Sequence, residues 1–364
     1  MKKLIAVFLI VSYPAFADKL ADVTYAFPTP RVAKLTSADD LYTSFVDYFY
    51  LLVAANRSSL NIDQAMMDSH GWCAGDAHIE NFGYLVDESK DPVFTVNDID
   101  DSGPCPVVLD LYRLLVDARL NGSAKDLNPI LKAYAAGLSG ASYSAPTAIM
   151  DLYDKSLRHG TGVDPKDVDE DHESFVRADD TKEIGAKTLM ILKGIFKPYS
   201  VVDAIERVKM TGGSAGMTRY EALLDGDSLL HMELKQEDKP SIYPVASDTI
   251  PSVSERIVRA LEMTLAGHSK LYSTQTIAAV TYLQRPRFYG NDAIKIAKLA
   301  TTDLPDVIAF EAWTLGRFHA QTAPAVWPKT FATVTNAQWE NLVRLMSEHF
   351  STKYASLKSA KSAL

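Results

Sequence analysis

Between Tyr199 and Gln236 the chain changes its hydrophobic rhythm. The segment "YSVVDAIERVKMTGGSAGMTRYEALLDGDSLLHMELKQ" reads as strand, glycine turn, strand, Asp-Gly turn, strand, with the hairpin signal at Asp225-Gly226. Period-two patterning broken by such turns predicts an antiparallel meander. A helix over "SVSERIVRALEMTLAGHSKLYS", capped by Ser252 or Ser254, and a strand over "AAVTYLQRPRFYG" extend this unit. On both sides the apolar spacing is helical: residues 40–56 with Asp39 or Asp40 near the cap, 109–122, and the tail from 306 onward. The expectation is an α+β chain with four parts: 1–17 a signal peptide, 18–198 helical, 199–288 a small β-rich lobe, and 289–364 helical again.

The first seventeen residues form a separate object. Lys2 and Lys3 precede the short apolar run "LIAVFLIV", and Ala15-Phe16-Ala17 closes it with a small-x-small pattern. That run is too short for a hydrocarbon core of ~30 Å and fits a cleaved export signal, with the mature chain beginning near Asp18. No later stretch is apolar enough to span a membrane. An exported protein is expected, periplasmic or secreted. Export permits a disulfide between Cys73 and Cys105, while two buried thiols remain equally open; neither cysteine has metal-ligand spacing. The net charge of -9, without a long Lys/Arg run, argues against a nucleic-acid partner. Residues 160–183 are rich in Asp but lack the Gly and Glu positions of an EF-hand, so a solvated loop is expected.

The chemistry concentrates elsewhere. "CAGDAHIENFGYL" packs Asp76, His78, Glu80 and Asn81 between Gly75 and Gly83. "VNDIDDSGPCPVVLDLYRLL" follows, and then the "GGSAGM" turn with Lys235 on the next strand. Phosphoryl transfer from a nucleotide needs a carboxylate to position the nucleophile, hard oxygen ligands for Mg²⁺, and a Lys with glycine-rich amides at the phosphates. Asp76 suits the first role and is the candidate catalytic residue. Asn81 and Asp98 suit the metal. Gly213, Ser214, Gly216 and Lys235 suit the phosphates of ATP or another nucleotide. "GDAH" also opens metal sites in binuclear phosphoesterases, but the "GNH" loop those enzymes need is missing. A metal-dependent phosphoesterase and a catalytically inactive binding module stand as alternatives. The phosphoryl acceptor, small molecule or protein, is not legible.

These blocks, with "GGSAGMTRYEALL", "ERIVRALEM" and "LGRFHAQT", resemble the bacterial family called domain of unknown function 2252. That family in turn resembles aminoglycoside-phosphotransferase-type kinases. The resemblance implies a protein-kinase-like two-lobed fold with permuted lobe order, the small β lobe following the catalytic loop. It implies Asp76 as catalytic Asp, Asn81 and Asp98 as Mg²⁺ ligands, and Asp110 as a structural Asp opening the next helix. Glu255 or Glu262 would orient Lys235, His78 would brace the loop backbone, Arg113 would pair with a carboxylate near the site, and His319 would be a packed or hydrogen-bonded histidine.

Overall fold

The computed structural model describes residues 19–87, 90–171, 173–208, 216–246, 250–263 and 269–362. The expected signal peptide, 1–17, and the expected phosphate-turn residues Gly213 and Ser214 lie outside the described residues. The fold is mixed helix and strand, and its strand pairings are antiparallel. Among the described residues, no helix is long and apolar enough to cross a membrane.

Four short strands frame the acidic segments: β1 (His70–Cys73), β2 (Phe82–Asp87), β3 (Lys90–Val96) and β4 (Gly103–Pro106). β1 pairs with β4, and β2 with β3. Residues 74–81 therefore leave β1 and enter β2, while 97–102 leave β3 and enter β4, so the two connections lie side by side. Cys73 and Cys105 are joined as a disulfide with their Cα atoms 5.8 Å apart. This resolves the choice that spacing alone left open.

Six strands build the largest sheet among the described residues: β5 (Thr181–Glu183), β6 (Ser200–Arg207), β7 (Arg219–Asp225), β8 (Leu230–Gln236), β9 (Ser273–Ile277) and β10 (Val280–Pro286), in the order β5-β6-β7-β8-β10-β9. The expected meander is present, although the turn at Asp225-Gly226 is longer than two residues, since Leu224 pairs with Leu230. Alternation on β8 divides its side chains between two faces. Met232 and Leu234 join Leu192 and Phe196, from and just after the helix Ala186–Ile195, in one apolar cluster. His231, Glu233 and Lys235 are buried on the other face. The acidic segment is more ordered than a solvated loop: Val168 bridges Phe175, both pack on Ile205 and Leu223, and its end supplies β5.

The main core is helical. Its helices Val108–Leu120, Asn128–Leu138, Leu304–Thr322 and Asn336–Ser362 pack with the N-terminal helices around residues such as Tyr112, Leu115, Leu315 and Phe350. The helix expected over 40–56 is split into Ala38–Ser44 and Val46–Ala55 by Phe45, whose φ of -125° and ψ of 67° are not helical. Its cap is Ser37, which accepts a hydrogen bond from the Asp40 amide, and Asp39 and Asp40 lie near it in the first turn, as expected. A separate apolar cluster ties the sheet to the acidic turn. Ile99 packs against Ile257 and Leu261 of the helix Val253–Met263 and Leu283 of β10.

Candidate functional site

One buried helix holds the 74–79 loop at three points. Asp110, Arg113 and Asp117 are spaced by three and four residues on the helix Val108–Leu120, so they share a face. Asp110 accepts from the amides of Ala74 (2.6 Å) and Gly75 (2.9 Å). Arg113 donates Nε to Asp76 Oδ1 at 2.8 Å, with Nη2 at 2.6 Å from the same oxygen. Asp117 accepts from the amide of Ile79 at 2.8 Å. Gly75 has φ +86°, and a Cβ there would lie 2.0 Å from the Asp101 carbonyl oxygen, so glycine is required.

Asp110 does more than start its helix. It also meets His319 Nε2 at 3.0 Å, His319 Nδ1 lies 2.6 Å from the Tyr134 hydroxyl, and Trp327 Nε1 donates to that hydroxyl at 2.9 Å. Each group gives one proton onward if His319 is neutral, with Nε2–H facing Asp110. His319 is thus a hydrogen-bonded core histidine, as expected. Arg113 is wholly buried and stacks on Tyr42, 4.5 Å to the ring centroid. Burial opposes its charge, but Asp76, Tyr42 and Tyr50 together outweigh burial and raise the guanidinium above its usual pKa.

Of the predicted site residues within the described chain, Asp76, Asn81, Asp98 and Lys235 come together. Asp76, Asn81 and Asp98 line one cavity of about 280 Å³, with Met217, the neighbour of Gly216, at its edge. Asn81 donates Nδ2 to the Asp76 carbonyl at 2.9 Å, which leaves Oδ1 available to a cation. Its own carbonyl accepts from the Asn97 amide at 3.1 Å and joins the two acidic segments. Lys235, 1% exposed, lies 3.5 Å from Asp98 Oδ1 and is also ion-paired with Asp100. Gly216 is exposed, with φ +86°. His78 faces Asp76 Oδ2 at 3.8 Å instead of the backbone, and burial lowers its pKa.

Neither glutamate expected to orient Lys235 does so. Glu255 caps its own helix, accepting from the Ser252 amide at 3.0 Å, and Glu262 is exposed. The Ser252-x-x-Glu255 spacing is a capping box and signalled this commitment. The residue of that helix that reaches the acidic turn is Arg256. It is fully buried and donates to the carbonyls of Asp100, Ser102 (3.0 Å) and Asp238 (3.1 Å), fastening the acidic turn to the end of β8. Glu237 was missed, while Asp101, expected either just behind the site or in solvent, lines the smaller cavity. Burial, reinforced by Asp76, pushes the Asp101 carboxyl up to about 6, and burial raises Glu237. No local pattern marks Glu237, because its environment is made by distant segments.

A second cavity of about 1060 Å³ shares Asn81, Asp98 and Lys295 with the first and runs beneath the charged face of the six-stranded sheet. There Glu233 receives Arg219 at 2.8 Å and Arg285 at 2.5 Å, while Arg207 lies 2.8 Å from Glu221. Among the described residues, no group of three or more His, Cys, Asp or Glu side chains is placed to hold a metal. A cation at Asn81 and Asp98 would take its remaining ligands from phosphate and water oxygens, as Mg²⁺ commonly does.

No curated protein and no solved structure matches the chain. The sequence model of a family described as "uncharacterized protein conserved in bacteria (DUF2252)" matches residues 57–190 and 182–360. With most of its length covered, the chain belongs to that family, domain of unknown function 2252.

Proposed function

We propose that this protein is an exported, kinase-like phosphotransferase that moves a phosphoryl group from a nucleotide such as ATP to a hydroxyl acceptor. The observation that carries this reading is that Asp76, Asn81 and Asp98 line one cavity, with Lys235 3.5 Å from Asp98. The reading includes a two-lobed kinase-like arrangement in which the small antiparallel lobe follows the catalytic loop. Chain order is no obstacle, because such sites are recognised by geometry and role. The Cys73–Cys105 disulfide accords with an oxidising compartment.

The donor takes the larger cavity, beside the sheet face that carries Lys235. Arg113 occupies Asp76 Oδ1, leaving Oδ2 to accept the proton of the acceptor hydroxyl. The hydroxyl oxygen bonds to the terminal phosphorus as the bond from that phosphorus to the donor's bridging oxygen breaks. The proton goes to Asp76, and the diphosphate leaves with Lys235 offsetting its charge. Asn81 and Asp98 would hold Mg²⁺, which when bound supplies charge neutralisation on the phosphate oxygens. Asp76→Ala tests the reading: nucleotide turnover should fall by about 10² or more while nucleotide binding persists. Undiminished turnover in that variant rejects it.

A further inference from the structure

We propose that the protein docks on an anionic lipid surface through the outer face of the helix Ala186–Ile195, on the side of the six-stranded sheet turned away from the charged cleft. Lys187, Lys193 and Lys197 meet the phosphate headgroups, and Met190 enters the boundary between headgroups and acyl chains. The contact is independent of the phosphotransferase reading.

Charge singles this segment out. The chain has a net charge of -9, and residues 160–183 hold nine acidic side chains against three Lys or Arg. Residues 184–202 then hold three lysines and no Asp or Glu. Lys187, Met190 and Lys193 follow one another at steps of three along the helix and share a face, and Lys197 lies just past its end. All four are exposed. Lys155, Lys166 and Lys353 each have a carboxylate partner, whereas none of these three lysines has one among the described residues. The field of a charge decays over ~8 Å at physiological salt, so a surface in contact with the helix meets the lysines and not the net charge.

The apolar part of the surface is a separate observation. Met190 is 70% exposed between Lys187 and Lys193, and Tyr199 and Val202, soon after the helix, are exposed as well. The sheet behind is wider than its cover: six strands at ~4.8 Å spacing span about 24 Å, and one helix is ~10 Å across. Leu192 and Phe196 are buried on the sheet, but Leu189, Ile195, Tyr220, Leu230 and Val280 stay partly exposed around them. Lysines flanking an exposed thioether suit a lipid boundary, where the charges hold headgroups and the sulfur side chain buries without needing a donor. A protein partner needs fixed hydrogen-bond geometry, which a flexible ammonium stem supplies poorly, whereas a lipid surface needs only charge. A second copy would have to offer its acidic segment in a head-to-tail contact that does not close on itself. Met232 and Leu234 of β8 belong to this side and Glu233 and Lys235 to the other, so docking leaves the cleft facing away from the lipid.

Vesicle sedimentation of the whole mature chain, from Asp18 onward, provides the test; the apolar run 4–11 is left off because it would bind lipid by itself. Vesicles of phosphatidylcholine alone are compared with vesicles that also hold phosphatidylglycerol, at physiological salt. Binding to the anionic vesicles should be at least about tenfold stronger. The triple variant Lys187→Glu, Lys193→Glu, Lys197→Glu should lose that preference, and Met190→Asp should weaken binding at least about threefold. The neutral triple variant, with Gln at the same three positions, should show the same loss and guards against a fold disturbed by charge reversal. Equal binding to both vesicles, binding to neither, or either triple variant binding like wild type overturns the proposal. Self-association that the triple variants abolish, without vesicle binding, assigns the face to a second copy and overturns it too.

Discussion

Arg113 grips a single oxygen of Asp76 with two nitrogens, Nε at 2.8 Å and Nη2 at 2.6 Å. The hold fixes which carboxylate oxygen faces the cleft, and only a planar fork can do this. Arg113→Lys should keep the charge but lose the orientation. We expect nucleotide turnover to drop at least about tenfold with a modest change in stability. Arg113→Met should in addition cost about 3 kcal/mol, because Asp76 is left facing an apolar pocket. Steady-state kinetics beside urea melts of both variants check this; equal turnover in Lys and wild type would show that orientation is irrelevant.

Lys235 sits where a cation would otherwise neutralise Asp98 and Asp100. Lys235→Met should therefore act in opposite directions on two ligands. Mg²⁺ alone should bind more tightly, since a competing charge is gone. The Mg²⁺-nucleotide complex should bind at least about tenfold more weakly, since a phosphate partner is gone. Calorimetry with each ligand separates the two effects. Loss of both, or gain of both, contradicts the assigned role.

Glu311 is 0% exposed, and neither of its carboxylate oxygens has a hydrogen-bond partner among the described residues. Burial raises its pKa well above the ordinary glutamate value, and nearby Asp117, also raised by burial, adds to the effect. A carboxyl whose folded pKa is raised gives its full contribution to stability below the unfolded pKa of ~4.3 and loses it as pH rises through the folded pKa. Glu311→Gln, unable to ionise, should raise the melting temperature at pH 8 and converge with wild type near pH ~4. Parallel melting curves across that range would show that Glu311 carries no such linkage.

The disulfide closes a loop between residues separated by 32 positions. On chain-entropy grounds its removal should cost about 2–4 kcal/mol. The Cys73→Ala, Cys105→Ala double variant should show a lower urea midpoint, as should wild type held under reductant. If the reduced chain melts like the oxidised one, the cross-link contributes no stability.

What the sequence made legible was local. Asp76 and Asn81 share one short loop, so turn chemistry and spacing alone grouped them. The meander was equally plain, because alternation on "LHMELKQ" is a property of neighbours. The break at Phe45 was hidden, since helical spacing continues through it and tertiary packing decides the kink. Partner identity was hidden too: Lys235 meets Asp98 and Asp100 across more than a hundred residues, and Arg256 reaches three carbonyls from two distant segments. Asp110 looked like a helix opener. Its work on the Ala74 and Gly75 amides depends on a loop that lies 35 and 36 positions away.

Because Cys73 precedes Asp76 and Cys105 follows Asp100, the cross-link threads the acidic cluster onto one covalent ring. Denaturation opens the cleft but cannot disperse that ring, so the oxidised unfolded ensemble keeps these carboxylates crowded. Such an ensemble would itself attract divalent ions. Protection of the native chain by Mg²⁺ alone would then fall short of its native-state affinity, and reducing the bond would widen the difference between the two states.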